Sequence, residues 1–381
     1  MLRRRWTFLG AGCLLVQLAA GLSGCDDVAS SRDRRILWFH ADPTGAAAEP
    51  YADSTLAVFT SFNDMRVMAL DARTGALRWQ QRLPSPPGAP YSSMPTFGNV
   101  TAFQDLIIVP AWDLYGLDRA TGAVRWKFQA PDDFAGYGSA FVAEGRVYSV
   151  GQYLYALDAA TGALAWRVDL GERPYRPVIA DGVIYVATRG EVFPGIVGDG
   201  HAVALDASTG AVLWRFPIRD PQTPVNGGSV GPAFVVDSLV LLAGVNGTVY
   251  ALDRTTGEAR WTYVSTDRFE AGLTIVDKTV VVAGDAGSVQ GLDLATGRLL
   301  WNTDRGTSVF KRITAGPGVA FIPTGILFAY DPTGKLRWQD GGAGFGGPVY
   351  STAATYRDGV VYIGSVDPQA PGPGFYALRV P

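Results

Sequence analysis

Thiols are nearly missing from this chain of 381 residues. Its two cysteines, Cys13 and Cys25, both lie close to the N-terminus. Everything after residue 25 therefore lacks a disulfide, a thiolate metal site and a cysteine nucleophile. Histidine is just as scarce. His40 and His201 stand far apart with no second histidine at ligand spacing, which argues against the common zinc sites. A Ser-His-Asp triad would need one of them beside a suitable serine, and none is expected. An excess of positive charge is also missing. There are 32 basic and 35 acidic residues, and setting aside Arg3, Arg4 and Arg5 leaves 29 against 35. Phosphate binding needs a basic surface, so nucleic acid is not an expected partner. Glycine and proline are abundant instead, at 47 and 24 residues, without collagen's strict period.

The N-terminus reads as an address rather than as part of a fold. The three arginines precede an uncharged stretch from Trp6 to Gly24, which ends in Leu22-Ser23-Gly24-Cys25. This ending resembles the bacterial lipobox. The resemblance implies a lipoprotein signal peptide over 1–24, with Cys25 acylated by chains such as palmitate and becoming the mature N-terminus. Residues 25–35 then form a lipid-anchored tether. Ten extended residues after the cysteine reach at most about 35 Å, which holds the body near the bilayer. Asp26 follows the cysteine, a residue that retains lipoproteins at the inner membrane in enteric bacteria.

One hairpin recurs down the remaining chain. It reads MALDARTGALRW at 68–79, YGLDRATGAVRW at 115–126 and YALDAATGALAW at 155–166. Further copies stand at 203–214, 250–261 and 290–301, and a shortened one at 328–338. Each letter has a physical reason. An apolar strand ends in Asp, whose short side chain accepts backbone N–H groups of the turn. Gly supplies the positive φ of a tight turn. Trp ends the return strand as a large amphipathic plate suited to sealing one repeat against the next. Apolar strands such as 106–109 and 183–186 precede most hairpins, and another strand opens near a proline before them, as at Pro177. The unit is four strands with no helix.

The two ends complete one another. Residues 36–41 carry Trp38 with no hairpin before it, and 375–380 carry a hairpin's first strand with no tryptophan after it. Joined, they make an eighth unit and leave no free sheet edge. The expected fold is therefore all-β: an eight-bladed β-propeller of four-stranded blades over 36–381, closed by N- and C-terminal strands in one blade. Its docking tryptophans are Trp38, Trp79, Trp126, Trp166, Trp214, Trp261, Trp301 and Trp338. Trp112 falls outside the series.

The repeated Ala-Leu-Asp-x-x-Thr-Gly-x-x-x-Trp unit resembles the docking motif of the quinoprotein-type (PQQ-like repeat) propellers. The resemblance covers nearly all of 36–381. One branch consists of pyrroloquinoline quinone dehydrogenases, and the other of the non-catalytic lipoproteins of the BamB type, which serve outer-membrane barrel assembly. The lipobox, the tether and the ring length point to the second. That resemblance implies no enzyme activity. It implies partners among envelope proteins or peptides, with the β-barrel assembly machinery as one candidate, and membrane attachment through the lipid. It also implies a periplasm-facing site on the outer membrane's inner leaflet, with the inner membrane as the alternative that Asp26 raises. Pyrroloquinoline quinone and calcium are the cofactors of the other branch and are not favoured. The body has no cysteines for that branch's vicinal disulfide, and no acid–amide cluster stands out for calcium. The BamB-type Leu-x-Leu-Arg docking string is absent as well, and residues 167–177 read RVDLGERPYRP. A sensor or small-ligand binder using the central channel remains a further reading.

The segments that differ between near-identical repeats are the expected places for specificity. They are 189–201, 217–230, 264–272 and 305–312. Phe193, Ile196, Phe269, Phe310 and Arg312 are the candidate partner-binding residues, chosen as apolar or aromatic groups flanked by charge. The seven hairpin aspartates sit one per repeat, so they read as turn caps rather than as metal ligands.

Overall fold

The computed structural model describes residues 35–46, 48–61, 64–84, 98–129, 138–190, 200–219, 228–229, 231–306, 308–309, 311–341, 349–367 and 372–380. The expected leader, Cys25 and the expected tether up to residue 34 lie outside them. All regular structure within them is strand, arranged as eight separate antiparallel sheets. Blades 1 to 7 follow the chain over 51–82, 101–128, 139–168, 173–218, 234–264, 273–304 and 314–341. Blade 8 alone breaks sequence order. Its outer strand is Ile36–Ala41, paired antiparallel with Gly374–Arg379 from the other end of the chain. Trp38 stands opposite Ala377. The ring is an eight-bladed β-propeller closed by its own termini.

Blade 4 departs from the four-strand plan. Its inner edge is split into Arg173–Pro174 and Val178–Ala180, both paired with Val183–Arg189. Pro174 and Pro177 explain the split, because neither can donate to the ladder.

Burial follows position within a blade. In blade 2 the second strand, Leu106–Pro110, is buried throughout, and the third, Leu114–Asp118, is buried up to its turn aspartate. Both of their faces are covered by neighbouring blades, which is why they read as unbroken apolar runs. The outer strands alternate: Leu77–Arg82 buries Trp79 between exposed neighbours. The described core is a circle of clusters, each mixing two adjacent blades. Val58 and Val67 of blade 1 pack with Ile107 and Leu117 of blade 2, for example.

The tryptophan hairpin explains the joints. In blade 1, the Asp71 Oδ1 accepts the backbone N–H groups of Arg73 and Thr74 at 3.1 and 2.9 Å and the Thr74 hydroxyl at 2.8 Å. The indole of the preceding blade lies on this rigid turn. Trp38 donates its ring N–H to the Ala72 carbonyl at 2.9 Å. The same bond runs from Trp79 to Arg119, Trp126 to Ala159, Trp166 to Ala207, Trp214 to Arg254, Trp261 to Leu294 and Trp301 to Pro332. The acceptor is always the residue after the turn aspartate. Each of these indoles also covers the turn glycine of the next blade, so a Cβ there would strike the ring. A bulge before each of these tryptophans pushes one residue outward, and where that residue is Arg it returns to the turn aspartate, as Arg125 does to Asp118 at 2.9 Å. Trp338 is the exception. It faces the blade made of the two termini, which has no such turn, and its buried ring N–H has no partner among the described residues. The Arg35 guanidinium sits 5.7 Å from its ring centre instead.

Two glycines separate the contributions of the turn. Gly162 and Gly182 have nearly the same positive φ, 71° and 73°. A Cβ on Gly162 would lie 2.6 Å from the Trp126 ring, whereas one on Gly182 meets nothing within 4 Å. Gly182→Ala should cost about 1–2 kcal/mol from backbone strain alone. Gly162→Ala should cost about 1–3 kcal/mol more, from overpacking. Urea unfolding of both variants measures the difference, and equal losses would mean that the indole contact contributes nothing.

Candidate functional site in the central channel

Each inner strand begins on the same end of the ring, and in three blades the residue two positions before it is charged. In blades 1, 4 and 7 these residues are Glu49, Arg176 and Arg312, ahead of strands starting at Tyr51, Val178 and Thr314. Blades this far apart can meet only on the axis, and there they do. The Glu49 Oε2 accepts from Arg176 at 2.7 Å, and from the Arg312 Nε at 3.1 Å. A second, shorter contact joins Arg312 to the other carboxylate oxygen. One carboxylate thus holds two guanidinium groups across the channel.

All three groups are largely withdrawn from water, with side-chain exposures of 15%, 13% and 25%. Burial alone would push the Glu49 carboxyl up. The Arg176 and Arg312 charges and hydrogen bonds outweigh it and bring the pKa down to about 2. Burial pushes Arg176 down; Glu49 counters and the like charge of Arg312 adds to the fall. Arg176 nevertheless stays charged at neutral pH.

A cavity of about 360 Å³ lies beside this cluster. Arg176 and Arg312 form part of its wall, with Ser139 of blade 3, Arg173 and Tyr175 of blade 4, and Glu270 at the start of blade 6. Arg176 also lies over the Phe141 ring at 5.8 Å. Calcium takes six to eight oxygens. The channel centre offers guanidinium groups instead, and among the described residues no three acidic, histidine or thiol side chains converge as ligands.

The candidates read from sequence divide three ways. Phe193, Ile196 and Phe310 lie outside the described residues, as does Cys25. Phe269 is corrected: it is not an exposed anchor but wholly buried, packed between blades 5 and 6. Flanking charge at Arg268 and Glu270 suggested a surface segment, but successive side chains point in opposite directions, and the aromatic one points in. Arg312 turns into the channel toward Glu49 and lines the cavity there. The tryptophans all lie at the blade joints described above.

Residues 227–231 spell Gly-Gly-Ser-Val-Gly, the string of a nucleophile elbow. Ser229 is buried and donates to the Ala243 carbonyl at 2.7 Å, with no histidine contact. His201 pairs elsewhere, its Nδ1 lying 2.7 Å from the Glu172 Oε1, and His40 stacks on Phe375. Among the described residues neither histidine bonds a serine hydroxyl. Glu49 and Arg176 were missed as site residues. The signal for them is positional: a charged residue directly before the proline that opens an inner strand, at Glu49-Pro50 and Arg176-Pro177.

A family model described as outer membrane protein assembly factor BamB matches residues 111–230 and 198–367. The two stretches overlap and together span more than half of the chain. The chain belongs to this family. A search of curated proteins returns no match. Among solved structures, the ring is similar to BamB from Moraxella catarrhalis at 18% identity and a TM-score of 0.64, covering 87% of this chain and 93% of that one. It is similar to quinohemoprotein alcohol dehydrogenase from Comamonas testosteroni at 16% identity and a TM-score of 0.69, covering 90% and 76%. It is equally similar in TM-score, 0.69, to the computationally designed Ika8 protein, at 15% identity and coverage of 91% and 100%. At these identities the structural likeness establishes the fold alone.

The channel cluster has an acid signature. Glu49 has a folded pKa below its ordinary value, so its charge stabilises the fold above that ordinary value, near 4.5, and the contribution is lost as pH falls toward about 2. Glu49→Gln should therefore lower stability at pH 7 by about 3–5 kcal/mol, since it strands two buried cations. It should also flatten the fall in stability between pH 4.5 and 2. Thermal unfolding of both proteins across that window checks the sign, and parallel curves would mean that Glu49 is not the titrating group.

Proposed function

We propose that this chain is a non-catalytic, lipid-anchored scaffold of the bacterial envelope, facing the periplasm and binding proteins or peptides. The observation that carries the reading is the family match across 111–367. The lipobox ending at Cys25 supports it, because it gives a propeller of this family a membrane address. Outer-membrane barrel assembly is the proposed setting, with the β-barrel assembly machinery or its unfolded clients as the partner. The Leu-x-Leu-Arg docking string is missing, so the contact with that machinery runs through other residues of the ring. We further propose that the ring works without pyrroloquinoline quinone or calcium. The donor set at the channel centre supports this, being cationic where a hard cation would need oxygens.

The proposed arrangement is a signal peptide over 1–24, a tether over 25–35 and a ring held near the inner leaflet of the outer membrane, with Asp26 directing any fraction retained at the inner membrane. One acyl chain binds a bilayer only marginally and two or more hold it stably, at about 0.8 kcal/mol per buried CH₂. The anchor lies outside the repeats, so attachment and folding are separable.

Two measurements test the reading. Crosslinking in intact cells followed by purification should recover envelope proteins, and recovery of none counts against the scaffold. Cys25→Ser should leave the ring folded while blocking signal processing or releasing the protein to the soluble periplasm. A Cys25→Ser protein that is processed normally and still pellets with membranes in high salt would refute lipid anchoring as the main attachment.

A further inference from the structure

The channel cluster is unbalanced. Two guanidinium groups share one carboxylate, and Glu49 approaches from the side of blade 1, while the cavity lies along the arginines toward blades 3 to 6. Arg176 commits a single donor to Glu49, and Arg312 commits its Nε and one terminal nitrogen. Each arginine carries five N–H donors, so donors of both are left for the cavity they line. A buried positive charge in excess of its counter-charge is costly and is relieved by an anion. We propose that this cavity is a binding site for a small organic carboxylate, held by Arg176 and Arg312 on the side away from Glu49.

Several features narrow the ligand. The planar fork of each guanidinium matches a carboxylate's two oxygens. Glu49 supplies one negative charge to the pair, and the cavity wall adds one charge of each sign in Arg173 and Glu270, so one more negative charge balances the site, which a carboxylate head brings. The Glu270 carboxylate in the wall disfavours a doubly charged phosphate. At about 360 Å³ the cavity falls in the range of small-molecule sites and admits more than a lone ion. Ser139 and Tyr175 add polar and aromatic wall for the ligand's body. The site does not depend on the scaffold reading, since either can fail alone.

The test uses the full-length protein purified in a non-ionic detergent at low salt, where charge interactions are least screened. Butyrate and succinate should raise the melting temperature and bind in calorimetric titration, while butyramide, which keeps the shape and lacks the charge, should not. Arg312→Gln should weaken butyrate binding at least tenfold. Glu49→Gln supplies the decisive readout, because it frees both arginines: butyrate should bind this variant more tightly than the wild type and recover part of its lost melting temperature. A merely structural cluster gives no such rescue. A tripeptide with a free C-terminus, compared with its amide, distinguishes a polypeptide end from a free small molecule as the source of the carboxylate. The proposal is overturned if neither the wild type nor Glu49→Gln binds butyrate, if Arg312→Gln leaves binding unchanged in a protein that still unfolds cooperatively, or if inorganic phosphate binds more tightly than the carboxylates.

Discussion

Everything in this ring depends on how one indole meets the next blade. The tryptophan N–H donates to the carbonyl just past the neighbouring turn aspartate, and the ring face lies on the glycine of that turn. Neither contact works without the other parts of the hairpin. The aspartate holds the turn by accepting two backbone N–H groups, the glycine lets the chain pass with positive φ and no Cβ, and the bulge aims the tryptophan while freeing its neighbour for solvent. The angle between blades is thus set locally, and repeating one local geometry around the circle closes it. The apolar clusters between blades then supply most of the burial.

The ring has one irregular joint, and its cause is the chain ends. Blade 8 is assembled from 36–41 and 355–379, so it has no hairpin turn for Trp338 to cover. That indole keeps its burial and, among the described residues, has no acceptor for its N–H. Other contacts hold this joint: Phe321 of blade 7 stacks on Tyr356 of blade 8 at 6.1 Å between ring centres, and Arg35 donates to the Gln339 carbonyl at 3.1 Å. Apolar packing between the two blades and a stacked ring pair serve here where the other joints use an indole clamp.

The distinction between local and distant information decides what is legible in the sequence. The hairpins announce themselves because aspartate, glycine and tryptophan lie within a dozen residues, and the closing blade is legible because each terminus carries the half that the other lacks. The channel cluster is not, because Glu49 meets partners 127 and 263 positions away and belongs to no repeated string. Only the ring topology brings those residues onto one axis. Phe269 shows the opposite error. Its charged neighbours look like a surface segment, yet a single inward-facing position in an irregular connection is enough to bury an aromatic ring.

Because joints and channel use different residues, they answer to different constraints. The joints fix a handful of positions per blade and leave the remaining sequence free, which is why rings of quite different purpose, natural or designed, share this shape at low identity. Shape alone therefore does not decide the chemistry. The residues at the inner ends of the strands bear on it more directly, since the joints do not require them. A buried ion cluster is rarely more stabilising than apolar packing of the same volume. With the clamp and the inter-blade cores already holding the circle, the circle does not need two arginines and a glutamate on its axis for closure. Their arrangement in blades 1, 4 and 7 makes the axis polar, asymmetric and positively charged, and any group that displaces or supplements Glu49 there touches three widely separated blades at once.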